Sequence, residues 1–246
     1  LEFRRVLFRS ALRPEPATLQ NVVNHFNFPK SSALALMSTL VDRGYLLKDP
    51  NDRYHMPASM RARWAADDLG QLLVAAHAPM RELNERLQET VILGVLDSAL
   101  QVRVLSKLTS AQEVRYDADA SVPRPAYCTA MGRVLLAFRP TQVQERYLQQ
   151  APFPKLTSAS LTSATALRKR LAHARKTGLE TVFEEFSLGG SGAAVALRNA
   201  HGEVVAALNV ATVTPRFQAR QSLILQELTH TAARISERLG ASARTV

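Results

Sequence analysis

The chain has 246 residues, 46% hydrophobic and 21% charged, with 31 Lys or Arg against 21 Asp or Glu and a formal net charge of +10. That is the composition of an ordinary globular protein of one large or two smaller domains, and the lack of any uninterrupted apolar run of about 18 residues argues against a membrane-spanning helix. A single cysteine, Cys128, rules out an internal disulfide and, with no secretory leader pattern, predicts a reducing, cytoplasmic setting.

The charge is uneven. Residues 1–65 hold ten Lys or Arg and five Asp or Glu. The opening segment, LEFRRVLFRS, supplies three of those bases and joins poorly to the residues after it, so residues 1–10 read as a foreign or chimeric start. Without them seven bases face four acids. A basic N-terminal quarter suits a polyanionic partner such as nucleic acid.

In chain order, residues 17–27 place Leu19, Val22, Val23 and Phe26 on one helical face, with Thr18 as N-cap. Phe28-Pro29 breaks that helix. Pro29 can open a second, with Ser31 and Ser32 in its first turn and Leu34, Leu36, Met37, Leu40 and Val41 as its apolar residues, ending at Arg43-Gly44. Tyr45, Leu46 and Leu47 read as a strand, Asp49-Pro50-Asn51-Asp52 as a turn, and Arg53–Met56 as the returning strand. Two short helices and a hairpin in about forty residues predict a winged helix-turn-helix. Residues 58–89 then read as a helical stretch with a break at Ala78-Pro79.

Beyond residue 89, five strands are expected at 91–96, 102–107, 180–185, 193–198 and 204–211. Helices are expected over 129–139, 141–150, 164–176 and 217–239, with Leu223, Leu225, Leu228, Ala232, Ile235 and Leu239 as the apolar positions of the last. The fold class is α+β, a winged helix-turn-helix followed by an antiparallel sheet with flanking helices.

In a helix-turn-helix the second helix presents its N-terminal residues to the major groove. Here that end carries Lys30, Ser31 and Ser32, able to reach phosphates or base edges, while Lys48 and Arg53 flank the wing tip. Ala33, Leu34, Ala35 and Leu36 leave the middle of this helix without a strong base-reading side chain. An enzyme is the rival class, with Cys128 and His173, His201 or His230 as a nucleophile–base pair. No accompanying signature is present, and no metal-ligand spacing, dinucleotide fingerprint or phosphate loop occurs. No enzyme activity, metal or cofactor is expected.

The segments PKSSALALMSTLVDRGYLLKDPNDRYHM (29–56), AYCTAMGRVLLAF (126–138) and GSGAAVALRNAHGEVVAALNVA (190–211) resemble the IclR family of bacterial transcriptional regulators, over nearly the whole chain from about residue 14. The wording of the second and third is similar to the branch that regulates aromatic-acid catabolism (protocatechuate and β-ketoadipate pathways). The resemblance implies a GAF-like effector-binding domain, a homodimer or dimer of dimers, palindromic double-stranded promoter DNA as partner, and a small aromatic or dicarboxylic acid as effector. It divides the chain into a winged helix-turn-helix (1–62), a linker helix (63–80) and an effector-binding and dimerisation domain (81–246). It also places the family's first DNA-domain helix within residues 1–13, so a replaced start implies an alternative: a metabolite-sensing dimerisation module with impaired DNA binding. Where the family often has an arginine near position 35, this chain has Ala35.

By position, the resemblance points to three parts of an effector pocket. One is the turn into a helix at Cys128, Thr129, Ala130, Met131 and Gly132, where free backbone N–H groups suit a carboxylate. Another is Gly189, Gly190 and Ser191, in a flexible Gly189–Gly192 loop. The last is Asn209 with Ala211 on the final strand, Asn209 being able to donate to a carboxylate or a ring hydroxyl.

Overall fold

The computed structural model describes residues 16–26, 28–58, 68–150 and 152–242. The expectations for residues 1–10 and for a first helix within 1–13 lie outside the described residues, as do residues 59–67 of the helical stretch expected over 58–89. The chain divides into two compact units, Leu1–Val74 and Ala75–Val246.

In the first unit, β1 (Ala17–Thr18) leads into α1 (Leu19–Phe26), α2 (Lys30–Asp42), β2 (Leu47–Lys48) and β3 (Arg53–His55), and the strands form an antiparallel sheet in the order β1-β3-β2. Thr18 caps α1 as expected: its Oγ1 accepts from the Asn21 N–H at 3.2 Å, and Asn21 Oδ1 accepts the Thr18 N–H at 2.9 Å. Helix α2 starts immediately after Pro29, and the chain leaves it through Gly44 at φ +72°, a conformation that costs glycine nothing. Tyr45 and Leu46 do not join the hairpin. Both their N–H groups donate to the Leu40 carbonyl, at 2.9 and 3.1 Å, so the strand starts at Leu47.

The core of this unit is Val22, Ala33, Met37, Leu40, Leu46, Tyr54 and Met56. Helix α2 buries Ala33, Met37 and Leu40, a helical spacing that rotates Leu34 to the outside, where it is 47% exposed. Leu34 therefore does not belong to the apolar face expected of it. The wing turn is built by Asp49, whose Oδ1 accepts from the N–H groups of Asn51 and Arg53, both at 2.9 Å.

Helix α3 (Asp68–Leu87) runs through Pro79 where the sequence predicts a break, and the division between units falls inside it. Proline cannot donate to the carbonyl four residues back. Arg238 Nη1 reaches that carbonyl, of Ala75, at 3.4 Å.

The second unit continues with β4 (Thr90–Leu96), β5 (Gln101–Leu108), β6 (Arg124–Pro125), α4 (Ala130–Ala137), α5 (Thr141–Gln150), α6 (Ala164–Thr177), β7 (Leu179–Phe183), β8 (Gly190–Arg198), β9 (Val204–Val213) and α7 (Thr214–Arg238). Six strands, one more than expected, pair antiparallel throughout in the order β6-β5-β4-β9-β8-β7. The extra one, β6, pairs only two residues with Gln101 and Val102, too short to leave a periodic signal.

Strands β8 and β9 are buried along most of their length, as strands covered on both faces must be. Ala194, Ala196, Ala207 and Ala211 share a cluster with Ala130, Met131, Val134 and Leu135 of α4. The alternate residues Ala193, Val195, Leu197, Ala206, Leu208 and Val210 are equally buried, and α7 packs on the same two strands. Alanines on the α4 side let that helix approach closely. Helix α7 buries Phe217, Ile224, Leu228, Ala232 and Ile235, while Leu223, expected to be apolar-facing, is 43% exposed. A non-helical residue at Arg220 changes the phase of the helix there.

The expected loop at Gly189–Gly192 is a strand from Gly190 onward; only Gly189 stays in the turn, at φ +73°. These glycines answer to crowding instead of flexibility. A Cβ on Gly190 would lie 2.7 Å from the Tyr116 ring, and one on Gly192 would lie 2.5 Å from the Val210 carbonyl oxygen. No helix among the described residues is long and apolar enough to cross a membrane.

Candidate effector pocket and DNA-reading face

A cavity of about 50 Å3 lies in the second unit, where the start of α4 meets β4, β8 and β9. Cys128, Thr129, Ala130 and Met131 line it from the turn into α4, Gly190 and Ser191 from the start of β8, and Asn209 and Ala211 from β9. The sheet register brings the last pair in: Asn209 stands opposite Ile92 and Ala194, and Ala211 opposite Gly192. Gly132 and Gly189, also expected there, do not line the cavity. Gly132 instead lets α4 lie against the preceding chain, since a Cβ on it would come within 2.3 Å of Ala126 Cα.

Thr129 caps α4. Its Oγ1 donates to the Pro125 carbonyl at 3.0 Å and accepts from the Gly132 N–H at 3.2 Å. The helix N-terminus is therefore partly satisfied, and the donors left in that first turn are the N–H groups of Ala130 and Met131. Ser191 is likewise engaged, its hydroxyl 2.8 Å from that of Thr214. Asn209, 6% exposed, makes no side-chain hydrogen bond among the described residues.

Sequence reasoning missed the cation of this pocket. Arg124, only 5% exposed, lines the cavity and donates to the Tyr116 hydroxyl at 3.1 Å and the Asp119 backbone carbonyl at 2.9 Å. Its guanidinium lies 5.3 Å from the centre of the Phe186 ring. Among the described residues no carboxylate is in ion-pair contact with it. Tyr116, Phe186, Ser187, Ile92 and Val182 complete the wall and were also missed. The available signal was slight: an arginine beside two prolines at the end of a polar loop.

The wall is held by a buried ion pair. Arg133 is fully buried; its Nε donates to the Tyr127 carbonyl at 2.7 Å and its two Nη groups grip both oxygens of Glu185, one at 2.8 Å. Glu185 also accepts the Leu161 N–H at 3.2 Å. Three segments of the second unit are thereby tied beside the cavity. Cys128 is fully buried, and desolvation pushes its thiol up to about 11. It is a neutral, small hydrophobe at ordinary pH. His173, His201 and His230, its supposed partners, are all exposed. Among the described residues no group of His, Cys, Asp and Glu could hold a metal.

In the first unit, Lys30, Ser31 and Ser32 are exposed at the start of α2, and Ala35 and Ser38 share the exposed side with Leu34. Ser38 was not anticipated. Lys48 and Arg53 sit on the wing as expected, but each is already paired: Lys48 Nζ with Asp52 at 2.7 Å, Arg53 Nε with Asp49 at 3.0 Å. Asp52 raises the Lys48 ammonium above its ordinary value through that hydrogen bond. The wing presents less free positive charge than its two bases suggest.

Two family profiles match the chain. One, described as the IclR helix-turn-helix domain, covers residues 11–50; the other, the bacterial transcriptional regulator IclR C-terminal domain, covers residues 68–237. The chain is 29% identical over 218 residues to the HTH-type transcriptional regulator KdgR of Escherichia coli (86% of this chain, 81% of that protein). It is 26% identical over 200 residues to the Pca regulon regulatory protein of Pseudomonas putida (81% and 69%). Its fold matches the crystal structure of an IclR homolog complexed with 4-hydroxybenzoate from Microbacterium hydrocarbonoxydans, with a TM-score of 0.66 at 23% identity over 98% of this chain and 99% of that one. Matched along most of its length, the chain belongs to the IclR family, transcriptional regulators and not enzymes, with a helix-turn-helix domain followed by the family's effector domain.

Proposed function

We propose that this regulator binds promoter DNA through the start of α2 and takes up a small organic acid in the cavity beside α4, the acid changing its affinity for DNA. The observation that carries the effector half is Arg124. A buried guanidinium with no carboxylate in ion-pair contact is costly, and here it borders a cavity that an anion can enter. A carboxylate there would pair with Arg124 and accept from the Ala130 and Met131 N–H groups, while Asn209 would meet a second polar group of the ligand. A cavity of about 50 Å3 holds on the order of four waters. A short dicarboxylic acid and a benzene ring both exceed that space, so either needs a wall residue such as Phe186 or Met131 to give way. The neighbour solved with 4-hydroxybenzoate favours an aromatic acid, and the Pca regulon relative belongs to the branch that the sequence resembles, while KdgR is an equally near relative.

On the DNA side, Lys30 makes no ion pair among the described residues, and the exposed hydroxyls of Ser31 and Ser32 adjoin it. A phosphate at this helix end gains the Lys30 charge and free backbone donors. Two chains paired as a homodimer, or as a dimer of dimers, would hold two such helices at half-site spacing on palindromic double-stranded DNA. An acid bound unequally by two arrangements of that assembly would shift their populations.

A thermal-shift screen of hydroxybenzoic and short dicarboxylic acids tests the effector reading. Binding acids raise the melting temperature of the parent and lose that effect in Arg124→Met, while no shift from any acid sinks it. Mobility shift on promoter DNA tests the other half: Lys30→Ala should weaken binding and reduce the salt slope by about one. Parent protein that shifts no DNA favours the sensing module alone.

A further inference from the structure

A second cavity, of about 590 Å3, borders the same stretch of chain as the first: Pro125, Ala126 and Tyr127 line it, while the flanking Arg124 and Cys128 line the smaller one. We propose that this larger cavity is a separate binding site for an organic anion carrying two or more negative charges, held by Arg139 and Arg146. It is an open groove, more than ten times the size of the pocket beside α4, and Arg139 and Arg146 are exposed along it.

Arg139 and Arg146 both line this cavity. Neither has an ion-pair partner among the described residues. The surrounding sequence offers none: residues 126–177 contain nine Lys or Arg and one acid, Glu145. Glu145 is already engaged by Arg168, through Nε at 3.1 Å and Nη2 at 2.7 Å. Two guanidinium groups on one concave wall, in a region stripped of acids, favour a multivalent oxyanion over a monocarboxylate. The rest of the wall suits an organic body. Tyr127 donates its hydroxyl to the Pro154 carbonyl at 2.6 Å, and the Tyr147 hydroxyl accepts the Tyr127 N–H at 3.1 Å, so both phenols are engaged with backbone beside Pro152 and Pro154. A phosphate ester and a polycarboxylate share this chemistry. A DNA duplex does not, because a rigid rod cannot follow its backbone into a concave, partly apolar wall.

The test is calorimetric titration of the full chain with citrate, inorganic pyrophosphate and adenosine monophosphate in turn, at constant ionic strength. We expect saturable binding of at least one probe, weakened about ten-fold or more in the Arg139→Ala/Arg146→Ala double variant and less than about two-fold in Lys176→Ala, an exposed base outside the cavity. Citrate alone binding identifies a polycarboxylate site; pyrophosphate or the nucleotide alone identifies a phosphate site. The proposal fails if no probe saturates below about 10 mM, if Lys176→Ala costs as much as the double variant, or if duplex DNA of unrelated sequence displaces the probe. The variants separate the two sites: binding lost in Arg124→Met belongs to the smaller pocket, and binding lost in the Arg139→Ala/Arg146→Ala double variant but kept in Arg124→Met belongs to this one.

Discussion

Replacing Gly132 by alanine should destabilise the second unit, although alanine is the better helix former. Gly132 lies in the first turn of α4, where the substitution by itself gains about 1 kcal/mol of helix propensity. Against that, the added Cβ would lie 2.3 Å from Ala126 Cα and 2.5 Å from the Ala126 carbonyl oxygen. Those are backbone atoms and cannot rotate away, so either α4 or the Pro125–Cys128 segment must move. Forced overpacking costs about 1–3 kcal/mol, and a contact this short with backbone belongs at or above the upper end. The net expectation is about 2 kcal/mol of lost stability, or a melting temperature about 4–8 °C lower. Urea and thermal unfolding of the full chain measure it, and the same displacement of the cavity wall should weaken any acid that stabilises the parent. Gly189→Ala is the internal comparison: at φ +73° with open space around it, it should cost only about 1 kcal/mol. A Gly132→Ala protein as stable as the parent would refute the close-approach argument.

Glu185→Gln should cost about 3 kcal/mol, because it leaves the fully buried Arg133 charge without a counterion; a urea midpoint unchanged from the parent would show that the pair contributes no net stability. With its thiol pushed up to about 11 by burial, Cys128 should resist thiol reagents at about pH 8 in the folded protein and react once urea unfolds it. Rapid modification of the native chain would contradict the buried placement. The hydrogen bonds to Asp49, that from the Arg53 N–H foremost, hold its carboxyl below the ordinary 3.8. A carboxyl lowered by folding contributes stability above its unfolded value and loses it as pH falls through the folded one. Asp49→Asn should therefore lose less stability than the parent between about pH 7 and pH 3, and identical acid sensitivity in the two would remove Asp49 from the account.

The elements legible in the residue order are those that short-range chemistry controls. Thr18 as a cap, Pro29 opening α2, Gly44 closing it and the Asp49–Asp52 turn each depend on atoms within about four residues, so the winged helix-turn-helix was legible. So was the helix after Thr129, and the turn between β8 and β9 is equally local, since Asn199 accepts from the His201 and Glu203 N–H groups at 3.0 Å. Which residues share a wall depends on long-range packing. Gly190 and Gly192 read locally as a loose loop but form a strand because they pair with Val213 and Ala211 of β9, and they are glycine because Tyr116 and the Val210 carbonyl occupy the space a side chain would need. Arg124 carries little local signal of a site. It became the buried cation of the pocket because Tyr116, the Asp119 carbonyl and Phe186 close around it, across distances in sequence that no period of 2 or 3.6 encodes.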